Sequence, residues 1–147
     1  MSAGPGFDPV DGLRRFFAQM DSEEPYDVVS TLREDFRFTV FFAREDGTEE
    51  FAGGHADWDR YMAQRPQENR PFHELDLVAG TGLAAMALGR TLLGDELVAT
   101  FTAVLEFDDA GRIRSYFAAR TTDLHLAKES LPGAPPRPRS AVFSGPE

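Results

Sequence analysis

The feature that most constrains the fold is a run of four strand-like segments joined by very short turns in the second half of the chain. These segments cover 72–79, 83–92, 96–107 and 112–122. The separators hold three or four residues each and are rich in Gly and Asp. Connections this short favour antiparallel hairpins, because a parallel crossover needs about a dozen residues or more. The sequence therefore predicts a four-stranded antiparallel meander.

The first half of the chain predicts helices and two further strands. Apolar residues recur there either at helical spacing or in strand-like alternation. The helical segments are 9–20, 25–33 and 55–64, and the strands are 35–43 and 48–52. The predicted class is α+β, in the order α-α-β-β-α-β-β-β-β, with three helices packed on a curved antiparallel sheet.

The two ends of the chain differ from the middle. Residues 1–9 are rich in Gly and Pro, and residues 131–147 form a Pro-rich stretch with little periodicity. Such composition is typical of flexible segments. We therefore expect one domain over 10–130 in this 147-residue chain, with a flexible N-terminus and a flexible tail.

Composition and charge exclude several classes of function. The chain has no Cys, which removes disulfides, thiol nucleophiles and Cys-ligated metal centres. Its net charge of −10 repels phosphate backbones and anionic lipids, so neither nucleic acid nor a membrane is an expected partner. No long apolar run or secretory signal is visible, and the expected location is the cytoplasm. The strong preference for Arg over Lys suggests a GC-rich bacterial genome.

Four stretches of the chain resemble one known group of proteins, the nuclear transport factor 2-like (NTF2-like) superfamily, and within it the SnoaL-like branch. The likeness spans about 10–126. The stretches are Leu32-Arg33-Glu34-Asp35-Phe36, Phe51-Ala52-Gly53-Gly54 with Trp58 to Tyr61, His73 with Gly80 to Met86, and Phe107-Asp108-Asp109-Ala110-Gly111-Arg112-Ile113. Each is mainly a structural motif, a turn glycine or a core aromatic, so the likeness bears on the fold more than on the function.

This resemblance implies a cone-shaped sheet that encloses an apolar pocket, usually in a homodimer. Family members include ketosteroid isomerases, epoxide hydrolases, dehydratases, polyketide cyclases and non-enzymatic binders. Their shared chemistry is proton transfer in a water-poor cavity, which implies no cofactor and no metal.

Strand alternation selects the candidate site residues. It places His73 on the core face of its strand together with Leu75, Leu77 and Ala79. An imidazole in an apolar pocket can transfer a proton near neutral pH, so His73 is the first catalytic candidate. The alternative is a core histidine that is hydrogen-bonded to the backbone.

Two further catalytic candidates follow from the last strand. In the family, its cavity face would carry Tyr116 and Arg120, whose side chains suit the polarisation of a substrate oxygen. The alternatives are a Tyr that only packs its ring and an Arg at an exposed strand end. The predicted ligand-binding wall consists of Phe38, Val40, Trp58, Tyr61, Met86, Phe101 and Ala103.

The sequence departs from the family's known catalytic patterns. By the resemblance, the first isomerase carboxylate would fall at Val40 or its neighbour and the second at Ala103, and both of these residues are apolar. The epoxide hydrolases use an Arg flanked by two acids, whereas Arg90 has no acid two residues later. Metal binding is not expected, since the closest His/Asp pairs, at 55–57 and 123–125, lack a ligand spacing with a mechanical rationale.

Three functional hypotheses remain open. The first is a cofactor-free isomerase, cyclase or dehydratase that acts on a ketide- or terpenoid-like substrate, with His73 as the proton-transfer residue. The second is a non-catalytic carrier or sensor of a small apolar organic ligand. The third is a dimerisation module whose core the thirteen Phe residues fill.

Overall fold

A computed structural model describes residues 6–44, 46–65 and 70–121. Within these ranges the chain forms three helices and a six-stranded sheet, so the predicted α+β class and element order are confirmed. The helices are α1 (Pro9–Asp21), a 3-10 helix (Pro25–Thr31) and α2 (His55–Ala63). The strands are β1 (Leu32–Arg44), β2 (Gly47–Gly53), β3 (Phe72–Thr81), β4 (Ala84–Leu93), β5 (Glu96–Phe107) and β6 (Ile113–Thr121).

The sheet is curved, unclosed and mixed rather than purely antiparallel. Its strand order is β2-β1-β6-β5-β4-β3, and β3 to β6 form the predicted meander. However, β1 and β6 run parallel, with Phe38 in register with Tyr116. This follows from the connectivity: the chain leaves β2 through α2 and enters the sheet again at the opposite edge, so the meander returns to β1 in the same direction.

The two α-helices pack on the sheet as their apolar faces predict. Asp8 caps α1 by accepting a 3.0 Å hydrogen bond from the Val10 amide, which satisfies one free donor of the first turn. α1 packs on β3, β4 and β5, and α2 packs on β1 and β2. The buried residues of the two helices are Leu13, Phe16, Phe17, Met20, Trp58, Tyr61 and Met62.

The second predicted helix is a 3-10 helix that ends before the expected boundary. It stops at Thr31, because β1 already begins at Leu32. The tighter winding buries Val28 and leaves Tyr26 45% exposed, while Val29 packs partly buried against the core.

The N-terminal segment is attached to the domain over its described part. Phe7, which lies in the stretch expected to be flexible, packs its ring edge-on against Phe107 at 5.0 Å. The predicted flexible tail at 131–147 lies outside the described residues.

A β-bulge changes which side chains of β3 face the interior. The pairing with β4 shifts between Leu75 and Leu77. Because one extra residue reverses the alternation, Leu77 is 39% exposed and Val78 packs against the core instead. The predicted inward position of Leu77 is therefore wrong, whereas His73, before the bulge, faces inward as predicted.

Strand β4 presents small residues, not large ones, to the interior. Ala85, Ala87, Gly89 and Thr91 are buried, whereas Met86 is 51% exposed on the outer face. The predicted place of Met86 in the pocket wall is therefore wrong. Both faces of β4 carry mostly apolar residues, so periodicity alone does not show which face points inward. The choice follows from the space available, because aromatic rings occupy the volume in front of β4.

Aromatic side chains fill most of the concave side of the sheet. Trp58 is fully buried at their centre, with ring contacts to five of them. These rings belong to Phe16, Phe36, Phe38, Tyr61 and Tyr116. The interior is thus largely packed, and open space remains towards the ends of the strands that carry His73 and Arg120.

Candidate functional site

A hydrogen-bonded pair of His73 and Asp21 is the main chemical feature of the site. Nδ1 of His73 lies 2.6 Å from Oδ1 of Asp21, and the His73 amide donates to Oδ2 at 2.9 Å. Their side chains are only 12% and 18% exposed. A carboxylate at Nδ1 favours the tautomer that carries its proton there, and Nε2 then stays available as a base.

Two phenylalanines fix the imidazole ring of His73. The ring centroid of Phe17 lies 4.8 Å away, and Phe101 meets the imidazole edge-to-face at 5.3 Å. Phe101 occupies this place because Gly89, beside it on β4, has no side chain: a Cβ there would lie 2.7 Å from Cζ of Phe101. The imidazole is therefore held by packing as well as by Asp21.

His73 borders a pocket of about 200 Å³ and a narrow recess of about 20 Å³ beneath it. Both spaces share His73, Tyr61, Arg65 and Arg120. The pocket is further lined by Phe42, Arg44, Gln64, Arg70, Pro71 and Thr91, and the recess by Met20, Val40, Phe101, Tyr116 and Ala118. The site thus has a polar, basic pocket above an apolar and phenolic recess.

Arg120 extends from β6 into this site. Its guanidinium lies over the ring of Phe42, 4.9 Å from the centroid, a cation–π contact. Its Nε is buried and has no hydrogen-bond partner among the described residues. Burial lowers the pKa of Arg120, while the nearby Tyr61 and Tyr116 hydroxyls oppose this effect. The group remains a cation, because a guanidinium does not lose its proton in proteins.

Two buried phenols flank Arg120. Burial raises the pKa of Tyr116 and of Tyr61 well above the ordinary tyrosine value, and the positive charge of Arg120 offsets part of that rise. Both phenols therefore stay protonated at neutral pH and can donate a hydrogen bond to an oxygen in the recess.

Positive charge dominates the pocket lining. Four arginines line it, and no Asp or Glu does so among the described residues. Three of them have partners: Arg70 donates to the Ser22 carbonyl at 2.7 Å, Arg44 pairs with Glu49, and Arg65 donates to the sulfurs of Met20 and Met62 at 3.9 Å. This local excess of positive charge contrasts with the net charge of −10 for the whole chain.

The structure brings together six of the ten predicted site residues. These are His73, Arg120, Tyr116, Tyr61, Val40 and Phe101, which all line the recess. Phe38, Trp58 and Ala103 are buried in the core and do not line it. Met86 lies on the opposite face of the sheet.

Sequence reasoning missed Asp21, Thr91 and the arginines at the rim. Thr91 was missed because both faces of β4 are largely apolar, so the pattern did not show that the face with Ala85, Ala87 and Thr91 points inward. Asp21 carries no such signal, since it meets His73 only through the packing of α1 on β3.

Arg90 is flanked by two acids in the structure, as the arginine of the epoxide hydrolases is, although the sequence around it shows no such pattern. This cluster lies outside the pocket. Arg90 donates to both carboxylate oxygens of Asp76 at 2.9 and 2.8 Å and to Glu74 at 2.6 Å. The acids come from the neighbouring strand, so a search along β4 did not find them. None of the three residues lines the pocket or the recess.

Of the two His/Asp pairs considered for metal binding, the structure describes only the one at 55–57. Nε2 of His55 lies 2.6 Å from the Arg33 carbonyl oxygen, which makes His55 a structural residue at the start of α2. The pair at 123–125 lies outside the described residues. Across the described ranges, no three His, Asp or Glu residues cluster as metal ligands would.

None of the described helices has the length and hydropathy that a membrane span needs.

Comparison with solved structures identifies the fold. A ketosteroid isomerase-like protein from Kribbella flavida superposes with a TM-score of 0.58 at 18% identity, over 92% of this chain and 86% of that chain. A SnoaL-like family protein from Agrobacterium tumefaciens gives 0.54 at 16% identity, over 76% and 96%. An NTF2-like protein from Mesorhizobium loti gives 0.54 at 15% identity, over 82% and 98%.

No protein-family model and no curated protein matches the sequence. At identities this low, structural likeness establishes the architecture alone. The resemblance noted in the sequence is confirmed at that level: this chain has the NTF2-like fold, which the ketosteroid isomerase-like and SnoaL-like proteins share.

Proposed function

We propose that the protein is a cofactor-free proton-transfer enzyme that acts on a small organic carbonyl compound in the pocket beside His73. The observation that carries this proposal is the Asp21–His73 hydrogen bond, which orients an imidazole on the wall of a partly enclosed site. A His held by a carboxylate in this way is a typical general acid–base arrangement.

The proposed reaction is an isomerisation through an enol or enolate. Nε2 of His73 takes a proton from the carbon next to the carbonyl, and Asp21 stabilises the imidazolium that forms. The Tyr61 or Tyr116 hydroxyl and the Arg120 guanidinium stabilise the negative charge on the substrate oxygen. In a β,γ-unsaturated substrate, His73 then returns the proton to the γ-carbon, and the carbon–carbon double bond moves into conjugation with the carbonyl, so protons and electrons balance within one turnover.

This mechanism replaces the carboxylate base of the ketosteroid isomerases. The positions that would hold the acids, Val40 and Ala103, are buried and apolar. The proposed base therefore lies on β3 instead of β1, and it faces the same interior.

The substrate in this proposal is compact. A pocket of about 200 Å³ is smaller than the roughly 300–1,000 Å³ of sites for drug-sized ligands. Among the expected ketide- or terpenoid-like compounds, the smallest are favoured, because the recess between Val40 and Phe101 adds only about 20 Å³ to the pocket.

Hydrogen–deuterium exchange tests the proposal, and the product of the reaction need not be identified for it. A panel of small ketones and keto acids in heavy water is followed by NMR for loss of the signal of the proton next to the carbonyl. The wild-type protein is expected to accelerate exchange of at least one compound, and His73→Gln to lower that rate about a hundredfold or more. His55→Gln is the matched control and is expected to keep the rate. Equal rates for wild type and His73→Gln would overturn the proposal.

A second candidate is a non-catalytic carrier or sensor, and the packed aromatic interior favours it. Beside His73, the rings around Trp58 leave a pocket of about 200 Å³ and a recess of about 20 Å³, so a ligand bound there would have little room to rearrange. Recovery of an unaltered ligand from the purified protein, without exchange of any panel compound, would support the carrier over the enzyme.

We also propose a homodimer that forms through the outer face of the sheet. Met86 and Phe117 are 51% and 41% exposed there, and Val104 pairs in register with both, so the three form one strip across β4, β5 and β6. Apolar surface of this kind is typical of a protein interface. Sedimentation is expected to give a dimer for the wild type and a monomer for Phe117→Asp. A wild-type monomer at all concentrations would contradict this proposal.

A further inference from the structure

We infer that the pocket recognises its ligand through a carboxylate bound by Arg120 and Thr91, so that the ligand class is a small organic monocarboxylic acid. This deepens the proposed function, and it rests on that proposal for the location of the site.

Arg120 supplies the first observation. Its Nε is buried without a hydrogen-bond partner, and no described carboxylate pairs with its guanidinium. A desolvated cation without a counter-charge is costly, and the planar guanidinium binds a carboxylate with good geometry. A bound anion would therefore stabilise the Arg120 guanidinium.

Thr91 supplies a second, independent observation. It is only 2% exposed, and its Oγ1 has no hydrogen-bond partner among the described residues. Thr91 lines the same pocket as Arg120 and lies opposite His73 in the β3–β4 register. A buried hydroxyl normally has a partner, so this atom indicates a polar ligand.

The remaining lining favours the same class of ligand. Arg65 and Arg70 add positive charge at the rim, whereas Arg44 is paired with Glu49, and no acidic residue lines the pocket among the described ones. Such a pocket attracts small anions even though the protein as a whole repels them.

The apolar recess favours an organic carboxylate over inorganic phosphate as the ligand of this site. Its walls include Val40, Phe101 and Ala118, and at about 20 Å³ it takes only a methyl-sized part of an organic acid, while the rest of the hydrocarbon lies in the larger pocket of about 200 Å³. Just two buried polar atoms in the described pocket wall lack a partner, namely Oγ1 of Thr91 and Nε of Arg120. Two donors match the two oxygens of a carboxylate, whereas a phosphate has more oxygens to satisfy.

Titration calorimetry of the full chain with a matched pair of probes tests the inference. Phenylacetate and phenylacetamide have nearly the same shape and differ in charge, and inorganic phosphate serves as a third probe. The variants are Arg120→Gln, Thr91→Val and Arg114→Gln. Arg114 is the matched control, because it lies on the same strand but is exposed.

We expect phenylacetate to bind about tenfold or more tightly than phenylacetamide, since hydrogen bonds to a charged group contribute that much. Arg120→Gln is expected to lose about tenfold or more, Thr91→Val about fivefold, and Arg114→Gln less than twofold. Equal affinity for acid and amide, stronger binding of phosphate, or an unchanged affinity in Arg120→Gln would overturn the inference.

The outcomes separate this inference from the proposed function. Selective carboxylate binding without catalysed proton exchange would contradict the enzyme and leave the ligand class standing. Catalysed proton exchange of a neutral ketone by a protein that binds no carboxylate would support the enzyme and contradict the carboxylate ligand.

Discussion

Asp21 holds His73 at two points, one on its side chain and one on its backbone. Oδ1 lies 2.6 Å from the ring Nδ1, and Oδ2 accepts the His73 amide at 2.9 Å. Asp21 is the last residue of α1, and His73 is the second residue of the edge strand β3. One carboxylate thus fastens the helix to the sheet edge and also sets which ring nitrogen is free.

The variant Asp21→Asn should reverse the tautomer of His73. The single carbonyl oxygen of asparagine is needed to accept from the His73 amide, so its NH₂ group faces Nδ1 and donates there. Nδ1 then loses its proton and Nε2 gains it. We expect proton exchange to fall about a hundredfold or more and the free energy of unfolding to fall by about 1–3 kcal/mol. Nitrogen-15 NMR of the imidazole reads the tautomer directly.

The matched control for this prediction is Asp11→Asn. Asp11 lies on the same helix, is exposed and pairs with Arg15 at 2.5 Å one turn away. Such a surface pair contributes little, so exchange and stability should stay near the wild-type values. A His73 ring that keeps its proton on Nδ1 in Asp21→Asn would refute the orienting role of Asp21.

The sequence predicted site residues that belong to a pattern within one strand, but not residues that reach the site from a distant part of the chain. His73 was found because alternation along a single strand shows which side chains face inward, whereas Arg120 was expected from the family resemblance of the last strand. Asp21 was not, because it reaches His73 from 52 residues away through the packing of a helix end. The alternative of His73 as a histidine bonded to a backbone group is also resolved, since its ring partner is a carboxylate.

Gly89→Ala should destabilise the protein and disturb the imidazole. The new Cβ would lie 2.5 Å from the Glu74 carbonyl oxygen and 2.7 Å from Cζ of Phe101, whose ring contacts His73. Overpacking of this kind costs about 1–3 kcal/mol. We expect the midpoint of denaturant unfolding to fall and the ring proton shifts of His73 to change in NMR spectra.

The double variant Gly89→Ala with Phe101→Leu tests the origin of that effect. A leucine frees the space that the ring occupies, so it should recover part of the lost stability relative to the sum of the two single changes. Strict additivity of the two free-energy changes would contradict steric conflict with Phe101 and leave the Glu74 backbone as the cause.

The fold was more predictable than the details that position the site. Short turns and alternating strands sufficed for the meander. The outward turn of Leu77 was hidden, because a bulge needs a partner strand to define it. The exposure of Met86 was not predictable for a related reason, because both faces of β4 are apolar. Crowding by Phe101 allows only the face with small residues to point inward.

Arg120→Met should increase stability while it removes the proposed anion site. A buried guanidinium without a carboxylate partner costs free energy, and Met keeps the contact with the Phe42 ring through its sulfur. We expect the free energy of unfolding to rise by about 1 kcal/mol, measured by denaturant titration. Arg114→Met, which alters an exposed residue of the same strand, should change it by less than about 0.5 kcal/mol. A loss of stability in Arg120→Met would show that the charge is compensated in the free protein.

Alkaline pH should unfold the protein through its buried phenols. Burial raises the pKa of Tyr61 and of Tyr116 in the folded state above the value of about 10 for an unfolded chain. Below pH ~10 both states keep these protons and stability is fully present. Above it, the unfolded chain releases protons that the folded chain retains, so stability is lost as the pH rises towards the folded-state values.

The variant Tyr26→Phe isolates this effect, because the chain has three tyrosines and the other two are the buried ones. Its tyrosinate absorbance should stay absent at pH ~10, where free tyrosine is half ionised, and should appear together with the change in Trp58 fluorescence that reports unfolding. Tyrosinate formation at pH ~10 with Trp58 fluorescence unchanged would mean that the recess admits hydroxide and that the two phenols are not sealed from water.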